Sequence, residues 1–213
     1  MVSKSIYRRN SKKEKKENNM ENNRPDPDKL LEQVKEEESR INQGKLKIFF
    51  GYAAGVGKTY AMLEAAAQMA EAGMDVAAGY IEPHARPETM ALLDGLEQLP
   101  VLEIPYKNIV LREFDLDAAL KRRPQLLLVD ELAHTNAVGC RHTKRYQDIQ
   151  ELLKEGISVY TTVNVQHLES LNDIVASITG ITVQERIPDF VFDQADQVEL
   201  VDIEPADLLE RLK

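Results

Sequence analysis

Cysteine is almost missing from this 213-residue chain. Cys140 is the single copy, so no disulfide can form within the chain and a reducing compartment is the expected setting. Also missing is any apolar run near the roughly eighteen residues of a spanning helix, and no apolar stretch follows the charged N-terminus to make a secretory signal. The expected location is therefore cytoplasmic, with membrane contact only through the N-terminal tail or a partner. Basic side chains are outnumbered by acidic ones outside that tail. Residues 1–20 carry seven of them (Lys4, Arg8, Arg9, Lys12, Lys13, Lys15, Lys16) against Glu14 and Glu17, and removing this +5 from the total of −9 leaves −14 for the remainder. A body that acidic is not a nucleic-acid surface, which needs clustered Lys and Arg. The length allows one sizeable α/β core and is too short for a catalytic domain plus a receiver or membrane module.

What is present divides at about residue 24. Residues 1–23, rich in Lys, Asn, Glu and Ser, lack apolar periodicity and read as a disordered basic tail, either a solubilising arm or a tether for anionic lipid or an acidic partner. Pro25 and Pro27 mark an extended stretch, and Asp28 could cap a short helix over Leu30, Leu31 and Val34. From Lys45 the pattern alternates. Strands are expected at Leu46–Phe50, Asp75–Ile81, Val101–Ile104, Leu126–Val129, Val159–Val163 and Val198–Asp202. Helices are expected over Lys58 to about Ala72, Pro87–Leu99, Asp115–Arg122, Arg145–Lys154 and Gln166–Ile178, with a last one from Pro205. Unbroken apolar strands separated by helices imply a three-layer α/β sandwich over residues 24–213, its central sheet mostly parallel and covered by helices on both faces.

The segment Gly51-Tyr-Ala-Ala-Gly55-Val-Gly57-Lys58-Thr59 lies between a buried strand and a helix, which is the context a phosphate-binding P-loop requires. Gly55 and Gly57 let backbone amides turn inward toward phosphate oxygens, and the helix that follows adds the positive end of its dipole. Residues Ala54, Gly55, Val56, Gly57, Lys58, Thr59 and Tyr60 are the expected cradle for a nucleoside triphosphate. Lys58 would reach the β and γ phosphates, and the Thr59 hydroxyl would coordinate magnesium. One departure from the Walker A spacing stands out: the first glycine falls at Gly51, and Tyr52 occupies its usual place.

Asp130 and Glu131 end the most hydrophobic strand, at the sheet edge where ligands sit in open α/β folds. Asp130 is the expected second magnesium group and Glu131 the expected base for an attacking water or hydroxyl; the alternative is a helix cap with a solvated neighbour. The fifth strand runs into Thr161, Thr162, Asn164 and Gln166, and Asn164 is the candidate γ-phosphate sensor, the alternative being a cap on the next helix. Glu82, His84 and Arg86 follow the second strand and could bind a second substrate, help orient water, or form an ordinary loop. In the polar loop from His134 to Arg145, one of Arg141, Lys144 and Arg145 could act as a charge-stabilising finger, in the same subunit or in the next copy of a homo-oligomer. His134, Cys140 and His142 lack a fourth ligand for zinc, and a surface loop explains them better. The partners of His167 cannot be read from sequence.

Three segments together, Lys45-Leu-Lys-Ile-Phe-Phe-Gly-Tyr-Ala-Ala-Gly-Val-Gly-Lys-Thr59, Val129-Asp-Glu-Leu-Ala-His-Thr-Asn136 and Thr161-Thr-Val-Asn-Val-Gln-His-Leu-Glu-Ser-Leu-Asn-Asp173, resemble the N-terminal domain of the KdpD osmosensitive potassium-channel sensor kinases. Arg24-Pro-Asp-Pro-Asp-Lys-Leu-Leu-Glu-Gln33 resembles the opening of that family, so the likeness runs from Arg24 to the C-terminus. It implies an ATP-binding regulatory domain of a two-component system for potassium, acting on a sensor histidine kinase or a potassium-transport partner. Larger members continue into a universal-stress-type domain, four membrane spans and a histidine-kinase core. Neither that core nor its phospho-accepting histidine box is found here, so histidine autokinase activity does not carry over. The chain reads as a free-standing short form or an excised fragment, and the basic tail before Arg24 favours a natural start. ATP is favoured over GTP by the resemblance and by the lack of an Asn-Lys-x-Asp segment. Three functions follow: an ATP sensor with slow hydrolysis; a P-loop phosphotransferase acting on a protein Ser or Thr with Glu131 as base; and a DNA-associated motor, which the −14 balance disfavours.

Overall fold

The computed structural model describes residues 42–82 and 87–211. The tail, the helix expected after Asp28, and His84 and Arg86 lie outside these residues. Six strands form the main sheet: β1 (Leu46–Gly51), β2 (Val76–Tyr80), β3 (Glu97–Gln98), β6 (Leu126–Val129), β7 (Ser158–Asn164) and β8 (Gln197–Leu200). Between β3 and β6, β4 (Val101–Tyr106) and β5 (Ile109–Phe114) pair with each other as an antiparallel ribbon. The sheet order is β3-β2-β6-β7-β1-β8 and every pairing within it is parallel. Strand β7 therefore separates β1 from β6, and β8 lies on the opposite side of β1. The expected α/β sandwich, with a mostly parallel sheet, is the fold.

Strand alternation explains the two cores. Leu127 and Val129 point to one face and Leu126 and Leu128 to the other, as a pleated strand with period two requires, and all four are at most 1% exposed. The first face packs Leu116 and Ala119 of α3 (Leu116–Arg122) and Ile149 and Leu152 of α4 (Arg145–Lys154) against Ile48, Ala77 and Val159. The second packs Met62, Leu63 and Ala66 of α1 (Lys58–Glu71) against Phe49, Val76 and Ala78. Each of the larger side chains (Leu, Ile, Val, Met, Phe) contributes about 1.5–3 kcal/mol by leaving water, and the alanines less. Asp115 caps α3 by accepting a hydrogen bond from the Ala118 amide at 2.9 Å.

The structure departs from the sequence reading in four places. The helix expected over Pro87–Leu99 is a single turn, α2 (Pro87–Ala91), because turns at Asp94 and Gly95 bring Glu97–Gln98 back to pair with β2. The strand expected at Val101–Ile104 belongs to the ribbon rather than the sheet. Its partner β5 was not anticipated, since the reversal occurs at Lys107 (φ 53°), which carries no glycine to mark it. Pro105 is tolerated there because a two-stranded ribbon leaves each strand one unpaired edge. The helix expected from Gln166 starts as a 3-10 turn at Val165–His167 and becomes α5 (Glu169–Thr179); a short α6 (Asp189–Asp193) precedes β8, and α7 (Pro205–Arg211) closes the described residues.

Candidate functional site

At the C-terminal ends of the parallel strands lies a cleft of about 670 Å³. It is lined by the loop Ala54–Ala61 and by Asp130, Glu131, Thr162, Asn164 and residues from the ends of β2 and β8. The loop leaves β1 and turns through Gly55 (φ 86°) and Gly57 (φ 106°), both left-handed, where a side chain would be strained. Gly57 is also the N-cap of α1, so the first amides of that helix open onto the cleft. Gly51 accounts for the shifted motif. A Cβ there would lie 2.7 Å from Val56 Cγ2 and 3.0 Å from Lys58 Cδ, so the glycine at the end of β1 makes room for the loop and the lysine stem to fold back over the strand. Tyr52, in the usual glycine position, swings outward and donates its hydroxyl to the Ile203 carbonyl at 3.1 Å.

Lys58 runs along the floor of the cleft. Its ammonium donates to the Ala53 carbonyl at 3.0 Å, and burial lowers its pKa while the charges of Asp130 and Glu131 oppose that shift. Thr59 donates its hydroxyl to Asp130 Oδ2 at 3.1 Å, which unites the loop with the end of β6. Asp130 is 1% exposed and is held from several directions. Its Oδ1 accepts from the Thr162 hydroxyl and, at 3.1 Å, from the Glu131 amide, and its own amide donates to the Tyr80 carbonyl at 2.9 Å. No helix starts at Asp130 or Glu131, so the capping alternative is not realised.

Glu131 sits at φ 61°, a left-handed conformation that costs a non-glycine residue about 1–2 kcal/mol. The amide bonds to Asp130 and Thr162 hold it there. Desolvation pushes its carboxyl up to about 7; Asp130 and Glu82 add to the shift and Arg145 opposes it. A carboxyl poised near neutrality has the pKa a general base needs. Asn164 does not cap the turn that follows it; its Oδ1 is buried with no hydrogen-bond partner, and the residue lines the cleft. Glu82 also lines the cleft.

In the basic loop, none of Arg141, Lys144 and Arg145 lines the cleft of its own chain. Arg141 pairs with Asp117 and Glu151, and Lys144 donates to the Thr135 hydroxyl at 2.7 Å. Arg145 is completely buried behind the strand ends. It donates to the Asp130 carbonyl at 3.0 Å and to Glu113 at 3.2 Å, and its guanidinium stacks 4.2 Å from the centre of the Tyr80 ring. His134 turns to Glu113 and His142 to Glu151, so they do not converge with Cys140, and no metal-binding cluster of His, Cys, Asp and Glu occurs among the described residues. Thr162, which anchors Asp130, and Arg145, which anchors the strand end behind it, are the functional neighbours that sequence reasoning missed. Thr162 stands in the polar series that ends β7, but only the β6–β7 pairing shows what it meets.

Chemically, the site is a glycine-rich loop and a single buried lysine beside a hydroxyl and carboxylate pair. Such a set can take an oxyanion with a hard divalent cation next to it. The model for the family described as "Osmosensitive K+ channel His kinase sensor domain", KdpD, matches residues 42–213. The chain belongs to this family. Curated KdpD relatives agree. The sensor protein KdpD of Clostridium acetobutylicum is 65% identical over 188 residues, covering 88% of this chain and 21% of that protein. The Escherichia coli sensor protein KdpD is 57% identical over 190 residues, covering 89% of this chain and 21% of that protein. A putative sensor protein KdpD of Synechocystis is 52% identical over 171 residues, covering 80% of this chain and 46% of the relative. The chain thus spans about a fifth of the length of the first two KdpD proteins. Among the described residues no helix is long and apolar enough to cross a membrane.

Proposed function

We propose that this KdpD domain binds Mg-ATP and uses the bound state, with slow hydrolysis, to control a sensor histidine kinase or a potassium-transport protein on the cytoplasmic side. The carrying observation is the convergence of Lys58, Thr59, Asp130, Glu131 and Asn164 on one cleft from three different strand ends. The amides of Ala54–Tyr60 and the Lys58 ammonium would hold the phosphates. Thr59 and Asp130 would hold magnesium, which would supply charge neutralisation at the terminal phosphates. Glu131 would accept the proton of an attacking group, and Asn164 would report the terminal phosphate.

A second reading has its own support. The cleft continues past Glu131 to Glu82, Glu88 and Glu185, which leaves room for a second substrate beyond the phosphates, and a carboxyl poised near 7 suits a hydroxyl acceptor as well as water. The domain would then be a phosphotransferase acting on a protein Ser or Thr. Incubation of the pure chain with γ-labelled ATP separates the two: free phosphate supports the sensor with hydrolysis, label on a side chain supports the transferase. Neither product, together with no heat in a Mg-ATP titration, would refute the nucleotide reading itself.

A further inference from the structure

The cleft has an end that the phosphate chemistry does not use. The sheet order sets β7 and β6 on one side of β1 and β8 on the other. Thr59, Asp130 and Glu131 mark the β6 side as the place of the terminal phosphate and its cation, so the rest of a nucleotide must leave the cradle over the first turn of α1, toward β8. There the cleft is lined by Tyr60 and Ala61 from α1 and by Val201, Asp202 and Ile203 from the segment leaving β8. We infer that these residues form a slot for the purine base, with the Tyr60 ring and the Val201–Ile203 segment as its two walls; this rests on the nucleotide reading above.

Both walls are anchored. Ala61 and Val201 pack on the same hydrophobic cluster as Phe49 and Met62, so they share one rigid footing. The Val201 amide donates to the Phe50 carbonyl at 2.8 Å, and the Tyr52 hydroxyl donates to the Ile203 carbonyl at 3.1 Å. Tyr52, the residue that replaces the usual loop glycine, therefore ties the phosphate loop to the base wall. Tyr60 is 40% exposed although it lies next to a packed helix face, which leaves its ring free to cover a planar ligand. Asp202 is exposed on the rim. Its carboxylate repels phosphate oxygens and accepts hydrogen bonds from ribose hydroxyls or a base amino group, so this end suits the nucleoside rather than the phosphates.

The test compares Mg-ATP with Mg-tripolyphosphate by titration calorimetry on the full chain. Wild type should bind ATP more tightly than tripolyphosphate. Tyr60→Ala removes the ring but keeps the main-chain amide assigned to the phosphates, so it should weaken ATP about five- to hundred-fold, the range for losing one base–aromatic stack, and leave tripolyphosphate unchanged. Tyr60→Phe should retain ATP binding. Tyr52→Phe, which frees the Ile203 carbonyl without touching the ring, should weaken ATP by a smaller factor and also spare tripolyphosphate. The slot is refuted if Tyr60→Ala weakens both ligands equally or leaves ATP binding intact. It is also refuted if wild type holds tripolyphosphate as tightly as ATP, and in that case the phosphate cradle survives. Binding of neither ligand by wild type would overturn the nucleotide reading and this slot together.

Discussion

Replacing Arg145 by Met tests whether the buried guanidinium organises the site from behind. The side chain is 0% exposed, and Glu113, its ion-pair partner at 3.2 Å, is 4% exposed. Breaking a buried pair by removing one member costs about 3–5 kcal/mol, because the remaining charge has no water to return to. Two features reduce that figure here: Glu113 keeps a bond to His134 at 3.0 Å and another from the Ala137 amide at 2.9 Å. Losing the donor to the Asp130 carbonyl adds about 1–3 kcal/mol in the other direction. The expected loss is therefore about 3 kcal/mol, read from urea denaturation at constant m-value. The double variant Arg145→Met with Glu113→Gln should recover about half of it, since a neutral amide is far cheaper to bury than an unpaired carboxylate. A single variant that loses less than about 1 kcal/mol, or a double variant worse than the single, would refute the reasoning.

Lys58→Met should abolish ATP binding in calorimetry yet leave stability unchanged or raised, since burial already disfavours the charged lysine in the folded state; a clear drop in stability would mean that the lysine serves the fold. Gly51→Ala should weaken nucleotide binding at least about ten-fold, as its Cβ would sit 2.7 Å from Val56 and displace the loop; unchanged affinity would show that the loop has another way to close. Glu131→Gln should bind ATP and hydrolyse it slowly. Because the folded-state pKa of Glu131 is raised to about 7, ionisation penalises the wild type above that pH and protonation relieves it below. The Gln variant should thus be the more stable protein at about pH 8, by about 1 kcal/mol or less given its half-exposed side chain, with the difference vanishing toward about pH 5. Thermal melts at the two pH values check this, and equal differences at both would contradict it.

Much of this was legible along the chain. Strand Leu126–Val129 and helix Arg145–Lys154 match their expected bounds, because an unbroken apolar run and a strong helical period are local signals. The phosphate-type loop was legible for a similar reason: left-handed turns at Gly55 and Gly57 demand glycine, and Lys58 and Thr59 occupy fixed places after them. The β4–β5 ribbon was not, because its reversal at Lys107 uses a residue that does not announce a turn. Nor was the role of Arg145, whose charge suggests a surface finger until Glu113 and Tyr80 are seen to enclose it.

Local backbone chemistry alone determined where the loop, the acidic pair and most elements fall, since each depends on residues within a few places of one another. Only the tertiary structure decided that β7 separates β1 from β6, that Thr162 meets Asp130, and that Tyr60 and Val201–Ile203 line one cleft. Those neighbours are brought together by strand pairing over long separations. Strand order is set by how helices cover both faces of the whole sheet, which no single segment encodes.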